Sequence, residues 1–429
     1  MHDLKPFFPT GEAVAKASFS EVALGMEPSR ILAISYAVKE AIARGAQVTQ
    51  FTVGDFAPDQ FPIPAALARG ITEAIAAGQT NYPPADGLPE LRKAIAASYR
   101  DELGLDYPLD GVTVASGARP GLYAIYRCLV EPGEVVVAPV PGWNNDNYTQ
   151  LVGGRFVPVP SRPEAGFMPD PEALAPHLRT ARLLVICSPL NPCGTMIQRD
   201  RLAAICQLIL DENRRRERTG ERLLYLVYDQ VYRLLTFGPT HHTPVEVAPE
   251  MARYTIFVDA ISKSFAATGI RVGWVVSPPF IADRLRALLT HMGAWAPRPE
   301  QRAVARLLED REATATFLVG LRAGLQERLE LIYQALQGFA AEGLPVAAVA
   351  PEGAIYLSAY IGLAGRPGLP DDDAVRKYLL EAAGCAILPF SAFGDETNRG
   401  WWRLSVGAVS VEETRACMAR LGTALRKAA

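Results

Sequence analysis

Between residues 47 and 297 the chain alternates short apolar runs with longer amphipathic stretches. The short runs fall at 47–52, 112–115, 134–140, 155–159, 183–187, 223–228 and 254–258, and are rich in valine, isoleucine and aromatic residues. Runs of this length and composition predict strands buried in a sheet. Between them, residues 65–77, 122–129 and 201–217 carry apolar positions at helical spacing. Strands alternating with helices predict a mainly parallel α/β sheet whose ligands sit at the carboxyl ends of the strands. Residues 300–339 read as largely helical. Beyond them, strands at 346–349, 354–360, 386–388 and 402–406 and a last helix from Val411 predict a smaller α+β domain. Ahead of the first strand, residues 1–28 read as an irregular arm. Ser29 would cap a helix over 30–44 with apolar positions at Ile31, Leu32, Ile34, Ala37 and Val38. The expected division is an arm and helix (1–50) packing with the small domain, a large domain (51–300) and a small C-terminal domain (301–429).

Composition narrows the function. A chain of 429 residues is too long for one ordinary core. A net charge of −3 gives no reason to expect nucleic acid or an anionic membrane as partner. The basic run Asn213-Arg214-Arg215-Arg216-Glu217-Arg218 reads as a solvated helix end. Six cysteines without a C-x-x-C pair fit buried free thiols in a reducing cytoplasm better than disulfides, and no metal site is expected. No apolar run reaches the roughly 18 residues that span a bilayer, and the first residues lack the apolar centre of a signal peptide.

Candidate chemistry collects just past the strand ends. The stretch 261–274, ISKSFAATGIRVGW, places Lys263 after a strand and Arg271 between Gly269 and Gly273. A lysine there can form a Schiff base with a carbonyl cofactor. Ser262 and Arg271 can bind an anionic handle on that cofactor, since a guanidinium fork matches phosphate. The run Ser116-Gly117-Ala118-Arg119-Pro120-Gly121 joins a strand to a helix, so its N–H groups and the helix dipole can cradle phosphate. Each residue also has a plainer reading. Lys263 and Arg271 can be surface charges, Trp143 core packing, Asn191 and Gly54 turn residues, Asp229 a cap, Tyr82 a loop aromatic and Arg403 half of a surface ion pair.

Lys263 and its surroundings, with six further matches in chain order from about Ser29 to Ser405, resemble the pyridoxal-phosphate (PLP) aminotransferases of fold type I, class I/II, of the aspartate aminotransferase kind. The resemblance implies the PLP-transferase fold: a large domain with a mainly parallel seven-stranded sheet and a smaller α+β domain. It implies that Lys263 carries the cofactor, that Asp229 pairs with the pyridine nitrogen, and that Tyr232 and Asn191 bind the 3′-oxygen. It implies Trp143 on the ring, and Ser262, Arg271 and the amides of Ala118 and Arg119 on the phosphate. Gly54 and Arg403 would meet the substrate α-carboxylate, with Trp143 and Asn191 close to substrate. Tyr82, in Asn81-Tyr82-Pro83-Pro84, would reach a partner's phosphate across a homodimer. Gln230 stands where the family commonly has glutamate.

The implied activity moves an amino group between an L-amino acid and a 2-oxo acid by a ping-pong route. Rivals on the same scaffold are a C–S β-lyase, a cyclopropane-carboxylate synthase or a decarboxylase. A regulator lacks an obvious DNA-binding extension here, and a nicotinamide oxidoreductase lacks a G-x-G-x-x-G turn. Arg119 stands where one aspartate aminotransferase subgroup has a lysine thought to read the distal carboxylate, which implies aspartate- or glutamate-type donors. If Arg119 instead faces solvent or an acidic neighbour, aromatic or aliphatic donors remain open, with Trp143 and Trp402 lining an apolar pocket.

Overall fold

The computed structural model describes residues 1–8, 11–26 and 30–428. Ser29, the expected cap, lies outside them, as do the side chains of Leu32 and Ala37. The chain runs through β1 (Thr49–Gln50), β2 (Val112–Ala115), β3 (Val135–Val140), β4 (Arg155–Pro160), β5 (Ala181–Cys187), β6 (Tyr225–Asp229), β7 (Thr255–Ala260), β8 (Gly273–Val276), β9 (Val346–Ala348), β10 (Tyr356–Ile361), β11 (Cys385–Ala386), β12 (Leu388–Pro389) and β13 (Trp401–Ser405). Seven of these form one sheet in the order β2-β8-β7-β6-β5-β3-β4. Every pairing in it is parallel except those of β8 with β2 and β7. The mostly valine, isoleucine and leucine side chains of β3, β5, β6 and β7 are buried because helices cover both faces.

The sequence pattern does not separate β8 from the lysine motif. Its four residues follow β7 after a link holding one helical turn, Ile261–Ser264. That link is too short for a crossover helix, so the chain returns antiparallel. Lys263 and Arg271 thus lie on the two sides of one short reversal, at the end of the sheet where the parallel strands finish.

The second sheet, β12-β13-β10-β9, is antiparallel, and β1 pairs in parallel with β11 beside it. Its core holds Leu325, Leu329, Ile332 and Leu336 of the helix Arg311–Ala341 with Trp402, Leu404, Leu421 and Leu425. Trp402 is wholly buried in that core and does not line the cavity, contrary to the apolar-pocket expectation, because the strand's alternation points it away from Arg403. Ala303, Val304, Ala305 and Leu307 of the helix Arg298–Glu309 belong to the first core, whereas Phe51, Phe56 and Phe61 belong to the second. Asp310 accepts the N–H of Ala313 (3.0 Å) and starts the next helix.

Three further readings change. The arm holds two short helices, Glu12–Ser18 and Glu21–Gly25, with Leu24 exposed on the second and Phe7, Phe8 and Phe19 exposed beside them. The helix expected from Leu122 is Ala118–Leu129, so Ala118 and Arg119 form its first turn. The basic run is not wholly solvated. Asn213 is buried, donating to and accepting from the Leu224 backbone at 2.8 Å, and Arg216 donates to the carbonyls of Leu178 and Arg222 at 2.8 Å. Two residues of that helix end thus clamp the strand that follows.

Candidate active site

A cavity of about 500 Å³ opens at the strand ends, between the two sheets. Gly54, Ala118, Arg119, Trp143, Asn191, Asp229, Tyr232, Ser262, Lys263, Arg271 and Arg403 all line it. Of the residues singled out from the sequence, Tyr82, like Trp402, does not. It lies on an exposed loop, edge-on to Trp295 with ring centroids 5.2 Å apart.

One end of the cavity is built to receive an anion. The helix Ala118–Leu129 begins here, and its first N–H groups have no partner within the helix. Its cap, Gly117, has φ 94°, and a β-carbon on it would lie 2.3 Å from Nη2 of Arg271. The guanidinium occupies the room that glycine leaves. Arg271 itself takes the left-handed φ of 62°, donating to the carbonyls of Thr268 (2.8 Å) and Ser116 (3.1 Å). A β-carbon on Gly273 would meet the Gly117 carbonyl carbon at 2.6 Å, so β8 and the phosphate-type turn touch backbone to backbone.

Lys263 leaves the single helical turn after β7, and its Nζ donates to the carbonyl of Gly54. Burial lowers its pKa to about 8; Asp55 opposes the shift, and the guanidiniums of Arg403, Arg119 and Arg271 add to it. A side chain on Gly54 would sit 2.7 Å from the Tyr356 hydroxyl, which explains the glycine. Asp229, at the end of β6, accepts the N–H of Val231 (3.2 Å). Burial pushes its carboxyl up to about 7, and Asp259 nearby adds to the shift. No cation pairs with Asp229 among the described residues. The hydroxyls of Tyr232 and Tyr356 are 2.7 Å apart.

Arg403 projects from β13 and is buried. It donates to Asn191 Oδ1 (3.2 Å) and to the carbonyl of Thr52 (2.6 Å), and lies 4.7 Å from the ring centre of Tyr356 and 4.9 Å from that of Phe393. Its Nε is buried without an acceptor, and it meets no carboxylate among the described residues. Arg119 lies 4.5 Å above the ring of Trp143 and has no acidic partner among the described residues. Thr52, Asp55, Thr268, Asn145 and Tyr356 also line the cavity and were not anticipated. Asp55 and Thr268 stand beside residues that were. Tyr356, 124 positions on from Tyr232, carries no local signal.

These groups fit pyridoxal phosphate: an anion cradle, an amine with lowered proton affinity and a buried carboxyl lacking a cation. The fold and site define a PLP-dependent enzyme of fold type I. A family model described as aminotransferase class I and II matches residues 46–421. An aspartate/prephenate aminotransferase of Thermus thermophilus is 31% identical over 411 residues, covering 94% of this chain and 97% of its own. An arginine–pyruvate transaminase of Pseudomonas aeruginosa is 30% identical over 363 residues, covering 84% of this chain and 86% of its own. The structure of a Thermus thermophilus aspartate aminotransferase with maleate superposes with a TM-score of 0.85 at 27% identity, over 95% of this chain and 100% of that one. The chain belongs to the class I and II aminotransferases. It is a PLP-dependent transaminase that moves an amino group between an amino acid and a 2-oxo acid. No helix among the described residues is long and apolar enough to cross a membrane.

Proposed function

We propose a cytoplasmic homodimeric aminotransferase that favours dicarboxylic amino acids, with 2-oxoglutarate or oxaloacetate as acceptor. Its two domains meet near residue 310, and the N-terminal helix packs with the smaller one. PLP supplies an electron sink for the carbanion formed when the Cα proton leaves. Lys263 would hold the cofactor, and its amine, when free, would be the base that takes and returns the substrate Cα proton. A pKa of about 8 leaves roughly a tenth of such an amine neutral at pH 7, against about one part in three thousand for an ordinary lysine. Asp229 would keep the pyridine nitrogen protonated, and Tyr232 and Asn191 would hold the 3′-oxygen. Ser262, Arg271 and the amides of Ala118 and Arg119 hold the phosphate, with Tyr82 reaching the partner's. Trp143 covers the ring. Arg403 grips the α-carboxylate near Gly54, and a bidentate clamp fixes which Cα bond faces the ring.

The observation that carries the donor preference is Arg119. Beside Arg403 and Arg271 it is a third guanidinium on the cavity wall, without an acid of its own among the described residues and held by Trp143. Relatives named aspartate/prephenate aminotransferase support the same reading. A charge-assisted contact is worth about 1.5–3 kcal/mol, so Arg119→Ala should lower kcat/KM for aspartate by roughly 10- to 150-fold and leave alanine almost unchanged. Equal losses with both donors, or a wild-type enzyme that prefers phenylalanine, leucine or arginine, would remove Arg119 from this role.

A further inference from the structure

Beneath the cavity floor lies a charged cluster that the proposed reaction does not use. Arg233 directly follows Tyr232, and its side chain enters the protein interior, where it is 6% exposed. Nε donates to Asp259 Oδ2 (2.7 Å), Nη1 to Glu102 Oε2 (2.6 Å) and Nη2 to Ser98 Oγ (2.9 Å). Asp259 lies on β7, next to the strand that ends in Asp229, and its other oxygen accepts the N–H of Ala260 (2.7 Å). Ser98 and Glu102 lie on the helix Pro89–Leu103. Gln230 is fastened to that helix as well. Its Nε2 donates to the hydroxyl of Tyr99 (3.0 Å), while its Oε1 is 3.2 Å from Nε2 of His241. Burial keeps His241 neutral, so its Nε2–H donates to that oxygen.

The turn from Asp229 to Tyr232 is therefore pinned twice, at Gln230 and at Arg233, to one helix behind the sheet. Arg233 is also fixed to the neighbouring strand. An unpaired buried arginine only four residues on from Asp229 would compete for its negative charge. With Asp259 and Glu102 on it, the cluster offers Asp229 no net positive charge. We propose that Arg233 and Asp259 are a positioning pair, which fixes the reach of Asp229 and Tyr232 into the cavity and withholds a competing cation from Asp229. The proposal rests on Asp229 meeting the cofactor ring.

The test compares Arg233→Met, Arg233→Lys and Asp259→Asn with Asp229→Ala in the holoenzyme. It reads the visible absorption band of bound PLP, PLP release by equilibrium dialysis, and kcat and KM separately. Arg233→Met and Asp259→Asn should shift the band, weaken PLP binding by about 10-fold and lower kcat by at least as much, because positioning errors fall on the chemical step. KM for the amino donor should change less than about twofold, since Arg403 is untouched, and Arg233→Lys should recover part of each loss. A folded Arg233→Met protein with a lower Tm but unaltered band, PLP affinity and kcat would overturn the proposal and leave a purely structural pair. Should Arg233→Met not fold, Ser98→Ala and Glu102→Gln each remove one contact from the guanidinium. Wild-type spectra and PLP affinity in both would overturn it equally. Asp229→Ala separates the two readings: wild-type behaviour there removes the role of Asp229 itself, whereas its loss with intact Arg233 and Asp259 variants removes only the positioning pair.

Discussion

Two side chains in the cavity are held away from their ordinary ionisation, in directions that can be measured. Asp229 titrates near 7 in the fold and near the ordinary carboxylate value when unfolded. The folded state therefore holds that proton more tightly. The stability this contributes is fully present below about pH 4 and is lost as pH rises through 7. Asp259, raised to about 6, acts in the same direction. In cofactor-free protein, Asp229→Asn should raise Tm at pH 7.5 by more than at pH 5; a gain no larger at pH 7.5 would contradict the burial argument. Lys263 has the opposite dependence. Its ionised form is disfavoured in the fold, so the cost falls away as pH climbs from about 8 to 10.5. Borohydride should fix the cofactor on Lys263, and Lys263→Ala should abolish that adduct. A modified peptide carrying another lysine would refute the assignment. Lys263, Arg271, Asp229, Tyr232 and Arg403 were singled out through the family resemblance, and the fold brings all five to one cavity. Tyr356 and Thr52 were not singled out, because they reach the cavity through partners far away in the chain.

At the scale of elements, the anion cradle depends on two segments approaching closer than any side chain permits. Gly117→Ala forces its β-carbon against the Arg271 guanidinium and keeps a left-handed backbone that alanine resists. Dialysis should show PLP binding weakened by about 10-fold or more, in keeping with one or two lost charge-assisted contacts. Gly269→Ala serves as control, since nothing lies within 4 Å of its β-carbon position. Equal behaviour of the two variants would show that the close approach is unimportant. The sequence exposed the glycines and the turn but misplaced the start of the helix. Its first turn holds Pro120 and Gly121, the two residue types least favoured within a helix, and packing against β8 decides it. The basic helix end misled for a related reason: charge says nothing about which arginine finds buried carbonyls.

At the scale of the whole molecule, Tyr82 is the residue that a single chain leaves unexplained. It is 78% exposed, and it packs on Trp295, whose indole N–H is buried without an acceptor. If it serves a partner's site, two inactive variants should rescue each other. Co-expressed Lys263→Ala and Tyr82→Ala chains mix at random, half the dimers are hybrids, and each hybrid holds one intact site. About a quarter of wild-type activity should return, given twofold symmetry. A mixture no more active than the separate variants would place Tyr82 in its own chain's site or in none. The two cores were visible as two sets of apolar runs. Which core each run joins was not, since the helix Arg298–Glu309 packs in the first and Phe51, Phe56 and Phe61 in the second.

Arg403 is rooted in the small sheet, yet one of its fingers rests on Asn191 at the rim of the large one. If Arg403 grips the α-carboxylate as proposed, whatever it grasps becomes a rivet between the two sheets. Letting go of product and any parting of those sheets would then be a single event, and thickening the solvent with glycerol would be a way of hearing such a hinge in the turnover number.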